Sequence, residues 1–209
     1  MATCEWDEFA PGWDSNDDVR TYAAMAFDSW NRKVGPMVGD LPNCRALDFG
    51  CGTGLMTEKL APICGQVLAV DTSAKMLDVL RQKISDMDIS NVTAMKVAVN
   101  ATTVRENPDL ASKFDLIVAS SVCSFLPDYE TTLCNLVSVL NPGGLFVQWD
   151  WLADMSVDRI RSAFEFAGLV DAGIEEAFTM DTGDESMTVV MGIGLLSTIN
   201  QDCGLGPRG

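Results

Sequence analysis

Residues 46–55, Ala-Leu-Asp-Phe-Gly-Cys-Gly-Thr-Gly-Leu, set three glycines at alternate positions directly behind a short apolar run. Glycine admits positive φ and lets backbone come close to a ligand. A glycine turn that closes a strand and opens a helix is a place where a phosphate- or nucleotide-bearing molecule sits. The surrounding pattern supplies the strand and the helix. Strand-like runs recur at Arg45–Phe49, Gln66–Val70, Val92–Val99, Phe114–Ser120 and Leu145–Trp149. Helical periodicity separates them, from about Gly54 to Ala61, Ser73 to Asp86, Asp128 to Leu140 and Val157 to Ala167. This alternation predicts an α/β, Rossmann-like, doubly wound sheet with helices on both faces. The nearly continuous apolar run Phe114–Ser120 fits a strand covered on both sides. Two further strands, about Leu169–Phe178 and Thr188–Leu195, have no helix between them. They bring the sheet to seven strands and predict an antiparallel last strand at one edge.

Ahead of this core, the apolar positions Val19, Tyr22, Ala23, Ala26, Phe27, Trp30 and Val34 repeat with helical period. They predict a helix from Asp17 to Val34, capped by Ser15 or Asn16 and ended at Gly35-Pro36. Residues 1–14 read as an irregular arm carrying Trp6, Phe9 and Trp13. The expected organisation is an arm and capping helix over 1–43, one core domain over 44–197 and a frayed tail over 198–209. The chain holds 30 acidic and 14 basic residues, a net charge of −16. That field repels phosphate backbones, so nucleic acid is excluded as a partner. There is no histidine, which removes every His-based triad and metal site from consideration. Seven scattered cysteines without a CxxC pair read as reduced thiols of a cytoplasmic protein, and their scatter gives no thiolate cluster for a metal or metalloid. The acidic start lacks the apolar core of a signal peptide, and no apolar run reaches membrane-spanning length.

Which ligand the turn takes depends on the spacing. The dinucleotide fingerprint G-x-G-x-x-G/A wants a small residue at its sixth position, where Leu55 stands. Thr57 fails the same test when the count starts at Gly52, and no Gly-Lys-Ser/Thr follows for a P-loop. What remains is Asp48-x-Gly50-x-Gly52-x-Gly54, with an acid where a pyrophosphate would be repelled. Asp71, closing the second strand, can take both hydroxyls of a ribose.

The segments LDFGCGTG, VDTSAKML, KFDLIVASSVCSFLPD and LNPGGLF, in this order, resemble the class I S-adenosylmethionine-dependent methyltransferases. The likeness is to their small ubiquinone/menaquinone-methylase-like members and runs from about Cys44 to Leu195. It implies S-adenosylmethionine as cofactor, no metal, and transfer of its methyl group to a small-molecule acceptor by in-line displacement. A non-catalytic partner subunit of the same fold and an aminopropyl transferase are the alternatives. Position by position, it implies Gly50, Gly52 and Gly54 under the methionine part, with Asp48 orienting that loop. It puts Asp71 on the ribose and Thr72 and Met76 beside the adenine. Asn100 or Ala101 stands where relatives carry an acid for the adenine. Ser120 and Ser121 end the fourth strand beside the methyl, and Ser124 stands where relatives often carry histidine. Tyr22, on the capping helix, either touches the bound molecules or packs in the core. Trp13, Tyr22, Ser121, Trp149 and Trp151 are the candidate acceptor contacts. Asp150 is either a base or amine anchor between two tryptophans or part of a packed hinge. Tyr22 and Asp150 are the two candidate catalytic groups.

Overall fold

The computed structural model describes residues 5–183 and 185–198. Its core is a sheet of seven strands: β1 Arg45–Phe49, β2 Gln66–Asp71, β3 Val92–Lys96, β4 Phe114–Ser120, β5 Leu140–Trp151, β6 Leu169–Asp181 and β7 Ser186–Leu196, in the order β3-β2-β1-β4-β5-β7-β6. The first five are parallel, because helices return the chain between them. The hairpin of β6 and β7 needs no return, so β7 runs antiparallel between β5 and β6. The chain moves outward from β1 to β3 and then jumps back to β4 beside β1. That jump is the topological switch point, whose crevice at the strand carboxyl ends is the ligand position of such sheets.

The helices are α1 Asp17–Lys33, α2 Leu55–Leu60, α3 Ala74–Asp86, α4 Ala101–Glu106, α5 Pro108–Ala111, α6 Tyr129–Ser138 and α7 Val157–Ala167. Asn16 caps α1 by accepting from Asp18 N, and Ser73 caps α3 by accepting from Met76 N. On one sheet face, Tyr22, Ala26 and Trp30 of α1 pack on Ala46, Val118 and Trp149, while Leu77 and Leu80 of α3 pack on Ala69. On the other, Leu133 and Leu136 of α6 and Ile160 and Phe164 of α7 meet Ile117, Ala119 and Phe146. The sheet is thus clothed on both sides, as the run of β4 required.

Three elements depart from expectation. Asn141-Pro142-Gly143-Gly144 reads as a turn, yet it lies inside β5 as a bulge, with pairing jumping from Phe114↔Leu140 to Leu116↔Leu145. The strand expected to reach Val99 stops at Lys96, and 97–99 run on as irregular chain toward the cavity. The short helices α4 and α5 carry no apolar stripe to reveal them; Asn100 and Asn107 start them by capping. Of the expected tail, all but Thr198 lies outside the described residues.

Candidate active site

A cavity of about 760 Å³ opens at the switch point, above the carboxyl ends of β1, β2 and β4. Its floor is the glycine loop. Gly50, Gly52 and Gly54 all take positive φ, at 68°, 54° and 89°, but they do different things. A Cβ on Gly50 would collide with Val122 and one on Gly54 with Leu80, so both serve close packing of the protein on itself. A Cβ on Gly52 would meet no protein atom within 4 Å, although the residue lines the cavity. Its bareness faces open space of ligand size.

Asp71 holds the loop. One carboxylate oxygen accepts from Gly52 N at 2.9 Å and the other from Ser73 N at 2.8 Å. Each oxygen can accept one hydrogen bond more, and the residue lines the cavity, as the binding of a vicinal diol requires. Asp48 lies one layer beneath, fully buried, accepting from the Thr57 hydroxyl. Burial pushes its carboxyl up to about 7, against the Thr57 hydrogen bonds and with the help of the nearby Asp71 charge. It therefore steadies the loop from below.

The opposite wall comes from the N-terminus. The Asp7 carboxylate accepts from Ser73 Oγ at 2.6 Å, and Asp14 accepts from Thr53 Oγ1 at 2.6 Å and pairs with Lys83 at 2.6 Å. Two acids of the arm are thereby fastened to the ribose-acid turn and to the glycine loop. Between them, Trp6, Phe9 and Trp13 form an edge-to-face cluster that reaches Phe125, with the Trp6 and Phe125 rings 5.1 Å apart. No pattern in the sequence marks Asp7, Asp14, Thr53 or Lys83, because each gains its role only from a partner far along the chain.

Beside the end of β4, Ser121 takes φ +53°, a conformation costly for a residue with a side chain. Its N–H donates to Trp149 O at 2.7 Å. The Tyr22 hydroxyl is buried beside the Ser121 side chain, its polar neighbour there. Burial and the negative Asp150 beyond it hold that phenol well above its ordinary pKa. Tyr22 also meets Trp151 and Phe178 edge-on, at 5.1 and 5.5 Å.

The cavity wall includes Trp13, Tyr22, Asp48, Gly50, Gly52, Asp71, Thr72, Met76, Asn100, Ser120, Ser121 and Trp151 of the residues singled out in the sequence. Four others stand off it. Gly54 turns toward Leu80. Ala101 begins α4 on the surface, leaving the wall to Asn100 and to Val97–Val99 before it. Trp149 is corrected from acceptor contact to core residue: alternation along β5 lays it flat under α1, where its indole N–H donates to Ser29 Oγ at 2.8 Å. Asp150 points to the other face, fully buried, and accepts from Ser124 N at 3.0 Å and Gln148 Nε2 at 2.9 Å. Burial raises its carboxyl to about 7 despite those bonds. It stands behind the wall rather than in it.

Among the described residues no lysine or arginine lines the cavity, whereas Asp18, Asp48 and Asp71 do. A dinucleotide's pyrophosphate would lie there without a counter-charge. S-adenosylmethionine carries a sulfonium, an ammonium and one carboxylate, a net positive charge that suits this lining. A bare glycine floor, a diol-holding acid at the end of β2 and an apolar wall for a purine together fit that cofactor.

These are the features of the S-adenosylmethionine-dependent methyltransferase fold. Residues 47–146 match the family described as Methyltransferase domain. An uncharacterized methyltransferase of Schizosaccharomyces pombe is 34% identical over 104 residues, 48% of this chain and 37% of that protein. The demethylmenaquinone methyltransferase of Lactococcus lactis is 31% identical over 140 residues, 64% of this chain and 53% of that one. The chain spans about half or less of the length of these relatives. Among solved structures, the magnesium protoporphyrin IX methyltransferase of Synechocystis with bound S-adenosylmethionine superposes with a TM-score of 0.62 at 16% identity, over 92% of this chain and 86% of that one. That likeness is one of fold.

Proposed function

We propose that this protein transfers the methyl group of S-adenosylmethionine to a small-molecule acceptor. The observation that carries the reading is the seat at Gly52: the loop residue whose missing side chain leaves open space is also the one whose N–H the Asp71 carboxylate grips. When bound, the cofactor supplies an electrophilic methyl on a sulfonium, and the remaining work is positioning and exclusion of water. Asp71 takes the ribose hydroxyls, Thr72 and Met76 flank the base with Asn100 at its edge, and Gly50 and Gly52 admit the methionine part. Ser120 and Ser121 border the methyl. The acceptor lies between them and Tyr22, Trp13 and Trp151, roofed by the arm. Residues 1–43 act as a cap on the core of 44–197. A cytoplasmic location is part of this reading, supported by the free thiols Cys44, Cys51, Cys64, Cys123 and Cys134. No described helix is long and apolar enough to cross a membrane.

Calorimetric titration with S-adenosylmethionine, S-adenosylhomocysteine and NADH tests the cofactor assignment, with Asp71→Ala as control. Micromolar binding of the two adenosyl ligands, weakened about a hundredfold in the variant, is expected from the loss of two charge-assisted hydrogen bonds. Binding of NADH in their place would overturn the reading.

A further inference from the structure

The acceptor end of the cavity has a composition that discriminates among charge classes. This inference rests on the methyl-transfer reading above. Its walls are aromatic faces and edges, from Trp6, Trp13, Phe125 and Trp151, and its mouth carries the exposed carboxylate of Asp18. The absence of any basic residue from the described lining has a direct consequence. A carboxylate or phosphate on the acceptor would be desolvated with no partner, a heavy cost. An ammonium group gains on each count: the faces of tryptophan attract cations, Asp18 supplies a counter-charge, and the net charge of −16 draws cations in from solution.

The interior adds a second, independent observation. Tyr22 lines the cavity, and its buried hydroxyl, with the Ser121 side chain beside it, makes no hydrogen bond of good geometry. Such a group is costly unless something in the site completes it. On the other face of β5 stands Asp150, fully buried, which accepts from the Ser124 N–H and the Gln148 amide. No lysine or arginine forms an ion pair with it among the described residues. The polar end of the cavity therefore offers an incompletely satisfied oxygen acceptor, with an unpaired buried carboxyl on the far side of β5. An N–H donor that carries positive charge is what both features lack.

We propose that the methyl acceptor is an organic amine that enters as an ammonium ion, its apolar body against Trp6, Trp13, Phe125 and Trp151 and its nitrogen donating to the Tyr22 hydroxyl. The ammonium gives one proton to water at the mouth before attack. The freed nitrogen lone pair then forms the new C–N bond as the S–C bond breaks and its electron pair returns to sulfur. The product leaves as a methylammonium ion beside neutral S-adenosylhomocysteine, with one proton released per turnover. Tyr22 is the group that touches the reacting nitrogen.

The test uses the full chain saturated with S-adenosylhomocysteine and titrates three probes that share one body: 2-phenylethylamine, 2-phenylethanol and 3-phenylpropanoate. The amine is expected to bind about tenfold more tightly than the alcohol, with no detectable binding of the carboxylate. Raising the salt concentration should weaken the amine alone. Asp18→Asn, a change on an exposed helix turn that leaves the fold intact, should cut the preference for amine over alcohol by about threefold. Tyr22→Phe should lower amine affinity further while leaving S-adenosylhomocysteine affinity unchanged. With S-adenosylmethionine in place of its product, mass spectrometry should find the N-methylated amine. Equal or tighter binding of the alcohol or the carboxylate overturns the proposal. So does failure of the amine to bind while S-adenosylhomocysteine still binds. Loss of S-adenosylhomocysteine binding itself would instead strike the methyl-transfer reading on which the proposal stands.

Discussion

Two alanine substitutions in the glycine loop should separate the cofactor seat from the packing around it. Gly52 and Gly54 lie two residues apart, and both hold positive φ. An L-residue in the left-handed region costs about 1–2 kcal/mol, so each variant loses at least that much. At Gly52 the account ends there, because the new methyl meets no protein atom within 4 Å. At Gly54 the methyl would lie 2.3 Å from Leu80 Cδ1, a buried side chain of α3 with little room to withdraw. Overpacking of that kind adds about 1–3 kcal/mol. For a chain of this size 1 kcal/mol moves Tm by about 2–4 °C. Thermal denaturation should therefore show Gly52→Ala falling by about 2–8 °C and Gly54→Ala by clearly more. Calorimetry should show the reverse ranking. Gly52→Ala fills the seat and should weaken S-adenosylhomocysteine by about a hundredfold, near 3 kcal/mol, whereas folded Gly54→Ala should lose much less. Wild-type affinity in Gly52→Ala, alongside the expected fall in Tm, would refute the assignment of this loop as the floor of the cofactor site.

Two further predictions concern buried residues, one in the cavity floor and one in the core. Asp48 has its carboxyl raised from 3.8 to about 7 by burial, so ionising it in the folded protein costs at most about 4 kcal/mol. A raised pKa means this stabilising contribution is complete below about pH 4, shrinks as pH rises and is gone above about 7; Asp48→Asn, which still accepts from Thr57, should flatten the fall in stability over that window, and an unchanged slope in denaturant titrations would count against a buried, raised Asp48. Trp149→Phe removes the indole N–H that donates to Ser29 and should cost about 1–3 kcal/mol of stability, with calorimetric affinity for S-adenosylhomocysteine intact; a selective loss of acceptor binding at unchanged Tm would return Trp149 to the site.

The parts of this molecule that were legible in the sequence are those where one local pattern decides the outcome. β4 announces its burial because seven successive residues, Phe114–Ser120, suit a strand covered on both faces. The cofactor loop is legible because positive φ at Gly50, Gly52 and Gly54 demands glycine, whatever surrounds it. The bulge in β5 was hidden because Asn-Pro-Gly-Gly satisfies a turn locally, and only the register with β4 makes it part of a strand. Trp149 and Trp151 look alike in the sequence because both lie on the same face of one strand. What separates them is how far α1 extends along that face: Ser29 covers one, while Tyr22 stops beside the other. The latches of the arm were illegible for the same reason, since Asp7 meets Ser73 and Asp14 meets Thr53 across most of a domain.

Those latches alter how the acidity of the chain should be read. As a bulk property, −16 indicates little beyond solubility and poor affinity for nucleic acid. Placed in the fold, the acids divide by task. Asp7 and Asp14 bind the arm to the loops they roof, Asp48 steadies the glycine floor from beneath, and Asp71 grips the loop from the side. Lys83 answers Asp14 with a positive charge, and it does so outside the cavity, between Asp14 and Glu58. The described interior of the site is thus left with negative charge and no fixed cation. On the methyl-transfer reading proposed above, that arrangement suits a sulfonium cofactor and would admit a neutral or cationic acceptor more readily than an anionic one.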